Sequence, residues 1–213
     1  MKVLGIDEAG RGPVIGPMVM VGFLVDEEKI EELKKLGVKD SKQLDAPTRE
    51  RLKKELEKIG RVFVRVIEPH QIDAFNLNRL EKMATRDIVL EASPDKVVID
   101  AFEKNLEKKL ALDVGHGFKG EVVAEHKADE KYPVVGAASI VAKVLRDEAV
   151  KRIKEVYGDF GSGYPGDPKT AEYVEKLIRS RQRLPDFVRK SWDTVKRVQE
   201  EEAQVKLRDF LEG

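Results

Sequence analysis

The sequence predicts an α/β fold, a sheet core followed by a helical C-terminal portion. Three observations predict it. Two apolar runs of strand character open the chain, strand-like and helix-like segments then alternate, and helical spacing dominates after residue 133. Hydrophobic residues are 41% of the 213, enough for the core of one large domain and against global disorder.

Taken in order, residues 2–7 read as a buried strand, and the Val- and Met-rich residues 18–25 as its neighbour. Residues 27–36 and 47–59 have helical spacing; Leu52, Leu56 and Ile59 share a face, and Pro47 suits a first turn. Residues 61–67 alternate Val62, Val64 and Val66 and read as a strand. Residues 80–92 read as a helix, "KVVID" at 96–100 as a short strand ending in an acid, 102–112 as a helix and 120–124 as a strand. Residues 133–157 predict a long helix whose Ala137, Ala138, Ser139 and Ala142 permit close packing. "GDFGSGYPGDP" at 158–168 is a Gly/Pro loop, and two or three helices follow, ending near residue 202.

Composition excludes several classes. Without cysteine there is no disulfide and no Cys-ligated zinc, so any metal must be held by oxygens or by the three histidines. No stretch approaches ~18 uncharged apolar residues, so no membrane span is expected. The chain enters a strand-like run holding acids rather than a secretory signal, and a cytoplasmic location is expected. Charged residues are 38%, balanced at 40 basic and 40 acidic, and high Lys/Glu with no Cys resembles a thermophile's composition. The charge is segregated: residues 179–197 hold seven bases against two acids, net +5, and residues 198–213 hold five acids against two bases, net −3. The basic stretch suits contact with a phosphate backbone or an ordinary basic helix surface equally.

The glycines of "IDEAGRGPVIG" fail as a phosphate loop. Gly10 and Gly12 are followed by Gly16, one residue late for a dinucleotide fingerprint, and no Gly-Lys-Ser/Thr follows. A turn needing positive φ accounts for the glycines but not for Asp7, Glu8 and Arg11. Acids in a buried strand are costly unless paired or metal-bound. The pattern recurs: Asp7 ends the first strand, Asp100 ends "KVVID", and Asp129 sits between a strand and the long helix. With Glu8 these could converge at one sheet edge and hold a divalent cation by oxygens alone, as suits Mg²⁺ or Mn²⁺. The alternative is four separate acids, each satisfied by a nearby Lys or backbone amide. Because adjacent strand residues face opposite ways, Asp7 and Glu8 share a site only if the strand breaks, and "AGRG" is expected to break it.

At this point the residues match a family. "GIDEAGRGPVIGP" with "VKDSKQL" (38–44), "VVIDAF" (97–102), "AEHKADEKYPVVGAASIVAKVLRD" (124–147) and "GSGYPGDP" (161–168) closely resembles ribonuclease HII in its archaeal form, in order over about residues 2 to 195. The resemblance implies an RNase H-like fold, a mixed five-stranded sheet flanked by helices with a C-terminal helical extension. It divides the chain into a catalytic core (1–157), a C-terminal loop and helical substrate-binding portion of the same domain (158–202) and a tail (203–213). It implies an endoribonuclease acting on RNA/DNA hybrids and on duplex DNA containing ribonucleotides, by two-metal catalysis with Mg²⁺ or Mn²⁺. The products would be 3′-hydroxyl and 5′-phosphate ends. The catalytic and metal-binding acids fall on Asp7, Glu8, Asp100 and Asp129, with Asp7 and Asp100 central; Glu130 is set aside because the motif aligns through "HKAD".

The resemblance also places 2′-hydroxyl recognition on Gly10, Arg11, Gly12 and Tyr164, with Arg11 able to reach a phosphate and the Tyr164 ring able to pack on the following deoxyribose. Read on its own, Tyr164 would be a loop aromatic capping the core. Lys42 resembles a position near the substrate phosphates, and Lys143 is expected to face the site or a phosphate. His70 and His126 are left out of the site, and His116 is read as a loop residue. The segment "QVKLRDFL" at 204–211 is similar to the sliding-clamp (PCNA) binding peptide, with anchors Gln204, Leu207, Phe210 and Leu211; the alternative is the end of an amphipathic helix. A monomer is expected. Ribonuclease HIII fits less well, since its motifs follow a long N-terminal domain and here they start at residue 5. Integrases lack "GRG" and "GSGYP", and a non-catalytic nucleic-acid binder has no need of all four acids.

Overall fold

A computed structural model of the chain describes residues 1–38, 44–106, 118, 120–180 and 182–212, with side chains as far as Val205. Five strands form one sheet: β1 (Lys2–Ala9), β2 (Met18–Asp26), β3 (Arg61–Ile67), β4 (Lys96–Asp100) and β5 (Glu121–Glu125), in the order β3-β2-β1-β4-β5. β1, β2 and β3 pair antiparallel, while β4 lies parallel to β1 and β5 parallel to β4. The sheet is mixed, as expected, because a short connection joins β1 to β2 while the chain returns through β3 and the helices after it to lay β4 parallel beside β1.

The helices are α1 (Ile30–Lys35), α2 (Ala46–Ile59), α3 (Pro69–Ala74), α4 (Leu77–Ala92), α5 (Ala128–Lys131), α6 (Pro133–Tyr157), α7 (Pro168–Arg179) and α8 (Asp193–Glu212). α2 starts on the Asp45 carboxylate, which accepts Thr48 N–H at 2.9 Å, and α4 on the Asn76 side chain, which accepts Arg79 N–H at 3.3 Å. The expected 27–36 helix begins with a 3₁₀ turn (Glu27–Lys29) before α1. α3 and α5 escape sequence periodicity because they span six and four residues, too short to repeat a pattern. The helix expected at 102–112 lies largely outside the described residues. The last helix does not end near residue 202: α8 runs on to Glu212.

Alternation along the strands divides the core in two. One face carries Val3, Val19, Val21, Phe23, Val25 and Val98, packed with Leu33, Leu52, Leu56 and the small residues of α6. The other carries Leu4, Ile6, Met18, Met20, Phe63, Val97 and Ile99 under Ile88 and Val89 of α4. α6 lies so close that a Cβ on Gly5 would stand 2.3 Å from the Val134 carbonyl, so only glycine fits in β1 there. A third cluster joins the chain after β1 to the C-terminal portion: Val14, Ile15 and Val150 pack with Phe160, Val174, Phe187 and Val188, and Ile15 bridges Val188.

One expectation is corrected. β1 does not break before Glu8; its pairing with β2 continues through Glu8–Met20 to Ala9–Val19. Its pairing with β4 ends at Ile6–Ile99, so from Asp7 onward β1 is laddered on one side only. The cleft opens at that one-sided edge, which is how neighbouring strand residues reach the same space.

Candidate active site

Asp7, Glu8, Asp100 and Asp129 line one open cleft of about 400 Å³ at the carboxyl ends of β1 and β4. Gly10, Arg11, Gly12, Lys143 and Tyr164 line it too, with Arg49, Arg146 and Asp147. Chain topology makes the gathering: parallel β1 and β4 end side by side, and the turn after β5 brings in α5. Asp100 Oδ1 accepts Ala128 N–H at 3.0 Å, which fixes the first turn of α5 and hence Asp129. Lys127 precedes it in the left-handed region, φ 59°. Asp129 is buried, whereas its neighbour Glu130 is exposed and faces Lys127 at 3.8 Å. His70 and His126 are exposed and neither lines the cleft. Lys42 lies outside the described residues, as do the side chains of Leu207, Phe210 and Leu211; Gln204 is exposed on α8.

Burial pushes the Asp7 carboxyl up to about 6, against the pull of Ser139, the Lys143 ammonium and the Glu8 N–H; the Asp100 charge adds to the rise. Glu8 is raised well above the ordinary range, by burial first and then by Asp7, Glu81 and Asp100, with Arg11 opposing. Lys143 donates to Ser139 on the preceding turn of α6 and so stands near Asp7. These acids resist ionising together, and a divalent cation is the natural compensation. The donor set is all oxygen, which suits Mg²⁺ or Mn²⁺. Among the described residues no three His, Asp or Glu side chains already form a cage.

Arg11 is tied to α4 while its side chain keeps 40% exposure. Its guanidinium forks onto the buried Glu81, Nε to Oε1 at 2.8 Å and Nη2 to Oε2 at 3.2 Å, and Nη2 also donates to Asn78 Oδ1 at 2.6 Å. The loop itself is held from the C-terminal portion. Arg189, fully buried, donates to the Gly10, Arg11 and Gly16 carbonyls, and Trp192 Nε1 to the Gly12 carbonyl at 3.1 Å. Burial and the nearby Arg146 charge lower Arg189 to about 10, so it stays charged at neutral pH. This corrects the reading of residues 179–197 as surface charge: Arg189 is an internal clamp. Gly10 has φ +88°, and a Cβ there would stand 2.7 Å from the Pro17 carbonyl, so the turn demands glycine.

Tyr164 is 45% exposed, and the Arg146 guanidinium lies 5.4 Å from its ring centroid. Arg146 also donates to the Ser162 carbonyl at 3.1 Å. Arg49 holds Asp147 at 3.1 Å and the Leu44 carbonyl at 2.6 Å. Sequence reasoning missed Arg49, Glu81, Arg146 and Arg189. An Arg or Glu at helical spacing looks like a solvated face; the "VRKSW" context was the one local hint, an Arg next to Val188 and three residues before Trp192.

A mixed sheet with acids at the ends of its parallel strands is an RNase H-like architecture. The family model for ribonuclease HII matches residues 4–195. Ribonuclease HII of Methanothermobacter thermautotrophicus is 47% identical over 205 residues, covering 92% of this chain and 98% of the relative. The crystal structure of ribonuclease H2 from Pyrococcus horikoshii OT3 superposes with a TM-score of 0.87 at 42% identity, covering 94% of this chain and 98% of that one. The structure of a PCNA:RNase HII complex from Archaeoglobus fulgidus gives 0.84 at 43% identity, covering 92% and 96%. The chain belongs to the ribonuclease HII family, the type 2 ribonucleases H, hydrolases that act on RNA/DNA hybrids.

Proposed function

We propose that the cleft hydrolyses the RNA strand of hybrids and incises 5′ of ribonucleotides embedded in duplex DNA, leaving 3′-hydroxyl and 5′-phosphate ends. The observation that carries this reading is the convergence of four acids with the loop at residues 10–12 and Tyr164 in one open cleft. Asp7 and Asp100 would be the central ligands of two Mg²⁺ or Mn²⁺ ions, with Glu8 and Asp129 flanking. Bound there, the cations supply a water of lowered pKa and stabilise charge on the leaving 3′-oxygen.

The chain's own residues do the rest. The Ala128 N–H orients Asp100, the Glu8 N–H orients Asp7 at 2.8 Å, and Lys143 sets a positive charge beside the acids. Arg49 and Arg146 line the same cleft, Arg49 held by Asp147 and Arg146 by the Ser162 carbonyl, and add positive charge to the field that a strand's phosphates would meet. Lys42 joins them in this reading. The backbone at residues 10–12 meets the 2′-hydroxyl, and the Tyr164 ring packs on the next deoxyribose. Ribonucleotide removal and RNA primer processing follow as its roles.

A nicking assay on duplex DNA with one embedded ribonucleotide tests the proposal. Cleavage on its 5′ side should require Mg²⁺ or Mn²⁺. It should fall with falling pH as protonation of Asp7, held at about 6 without cation, competes with ligation, and the fall should move to lower pH as the cation concentration is raised. Cleavage in chelator, or none with either ion, would refute it.

The tail is proposed to bind the sliding clamp. Support comes from "QVKLRDFL", whose Leu207 and Phe210 are three residues apart in a helical segment, and from the clamp-bound relative at 43% identity. Ala203, Gln204 and Val205 are exposed. Deleting residues 203–213 should abolish clamp binding in a pull-down and spare hydrolysis; unchanged clamp affinity would end the idea.

A further inference from the structure

Glu81 is a fully buried carboxylate that hydrolysis, as read above, leaves without a task. It sits on α4 beside a loop whose carbonyls Arg189 and Trp192 already hold. Glu81 holds the side chain instead, through the two-pronged pairing with Arg11 that Asn78 completes. Such a fork sets the plane of a guanidinium as well as its place. The Arg11 side chain nevertheless keeps 40% of its exposure and lines the cleft, so once released it would stand where a strand's phosphates pass.

We propose that Glu81, with Asn78, is a specificity-determining positioning residue: it ties Arg11 back onto α4, so that the loop's backbone and not its cation meets the nucleic acid. This rests on the reading of residues 10–12 as the sugar sensor. A cation on a phosphate adds affinity without telling RNA from DNA, whereas backbone groups at a 2′-hydroxyl do tell them apart. Holding Arg11 aside withholds the indiscriminate contact and keeps the loop in the shape that discriminates.

The test is Glu81→Gln, which keeps the shape and removes the charge that holds the fork. Binding is measured in cation-free buffer against two duplexes of one sequence, all-DNA and with a single ribonucleotide. Binding to the all-DNA duplex should tighten, and the slope of log affinity against log salt should steepen by about 0.9, the value of one added phosphate contact. The preference for the ribonucleotide duplex should fall severalfold. Arg11→Gln combined with Glu81→Gln should lose the added slope, which general loosening of the loop would not predict. If Glu81→Gln does not fold, Glu81→Asp draws the carboxylate back from the guanidinium by one methylene while keeping its charge, loosens both prongs of the fork, and decides on the same two readouts. A folded variant with wild-type slope and wild-type preference overturns the proposal. Failure of the underlying sensor reading looks different: the wild type itself would then bind the two duplexes alike, while the Glu81→Gln slope would still report on Arg11.

Discussion

Asp7→Asn should lower hydrolysis by on the order of 10³ or more while leaving hybrid binding in place, because several kcal/mol of charge stabilisation depend on cation ligation at this carboxylate. The same variant should show a reversal in stability. Asp7 sits at about 6 in the fold against 3.8 for a free carboxyl, so the folded chain holds this proton more tightly than the unfolded chain. The stability it contributes is complete below pH 3.8 and is lost as pH rises through about 6. In cation-free buffer at pH 8 the neutral variant should therefore melt above the wild type, and the gap should close toward pH 4. Adding Mg²⁺ or Mn²⁺ should invert the order, since the wild type gains by ligation and the variant gains little. Calorimetry with and without cation reads this directly. Near-normal turnover by Asp7→Asn would remove Asp7 from the centre of the site.

Tyr164→Ala should cut cleavage at a single embedded ribonucleotide about tenfold more than cleavage of a long hybrid, the equivalent of roughly 1.4 kcal/mol lost with one aromatic contact. The ring is placed for such selectivity. It is 45% exposed at the mouth of the cleft, and a Cβ added to Gly12 would lie 3.6 Å from its Cε1, so the tyrosine and the loop at residues 10–12 are neighbours. Arg146 sits against the ring, so losing the ring strips Arg146 of one contact while its hydrogen bond to Ser162 remains. The ratio of kcat/KM for the two substrates is the measurement. An equal loss on both would mean that Tyr164 serves general binding or folding rather than the junction.

Much of the frame was legible in residue order alone. Strand runs such as "KVVID" declare themselves because a strand buried on both faces must be continuously apolar, and an acid at its end is then conspicuous. Asp7, Asp100 and Asp129 stood out on that ground, and the motifs around them identified the family. Arg11 shows the opposite case. In sequence it is a cation between two glycines, open to any phosphate; folded, its guanidinium is taken by Glu81, seventy residues away. Arg189 is further still, 173 residues from the Gly16 carbonyl that it holds. Nothing local marks Glu81 or Arg146 as buried, because each sits in a helix whose polar residues mostly do face water.

By itself, then, the sequence determined the α/β core and the family and singled out the four acids as candidates, since each depends on patterns that neighbouring residues must satisfy together. Only the tertiary structure decided that β1 stays intact through Glu8 and still delivers both acids to one cleft. It alone decided that Arg11 is tied to α4 and that Arg189 clamps the loop. The physical reason is that a charged side chain's partner, and hence its burial and its task, is set by what the fold places opposite it, and that information is distributed along the whole chain.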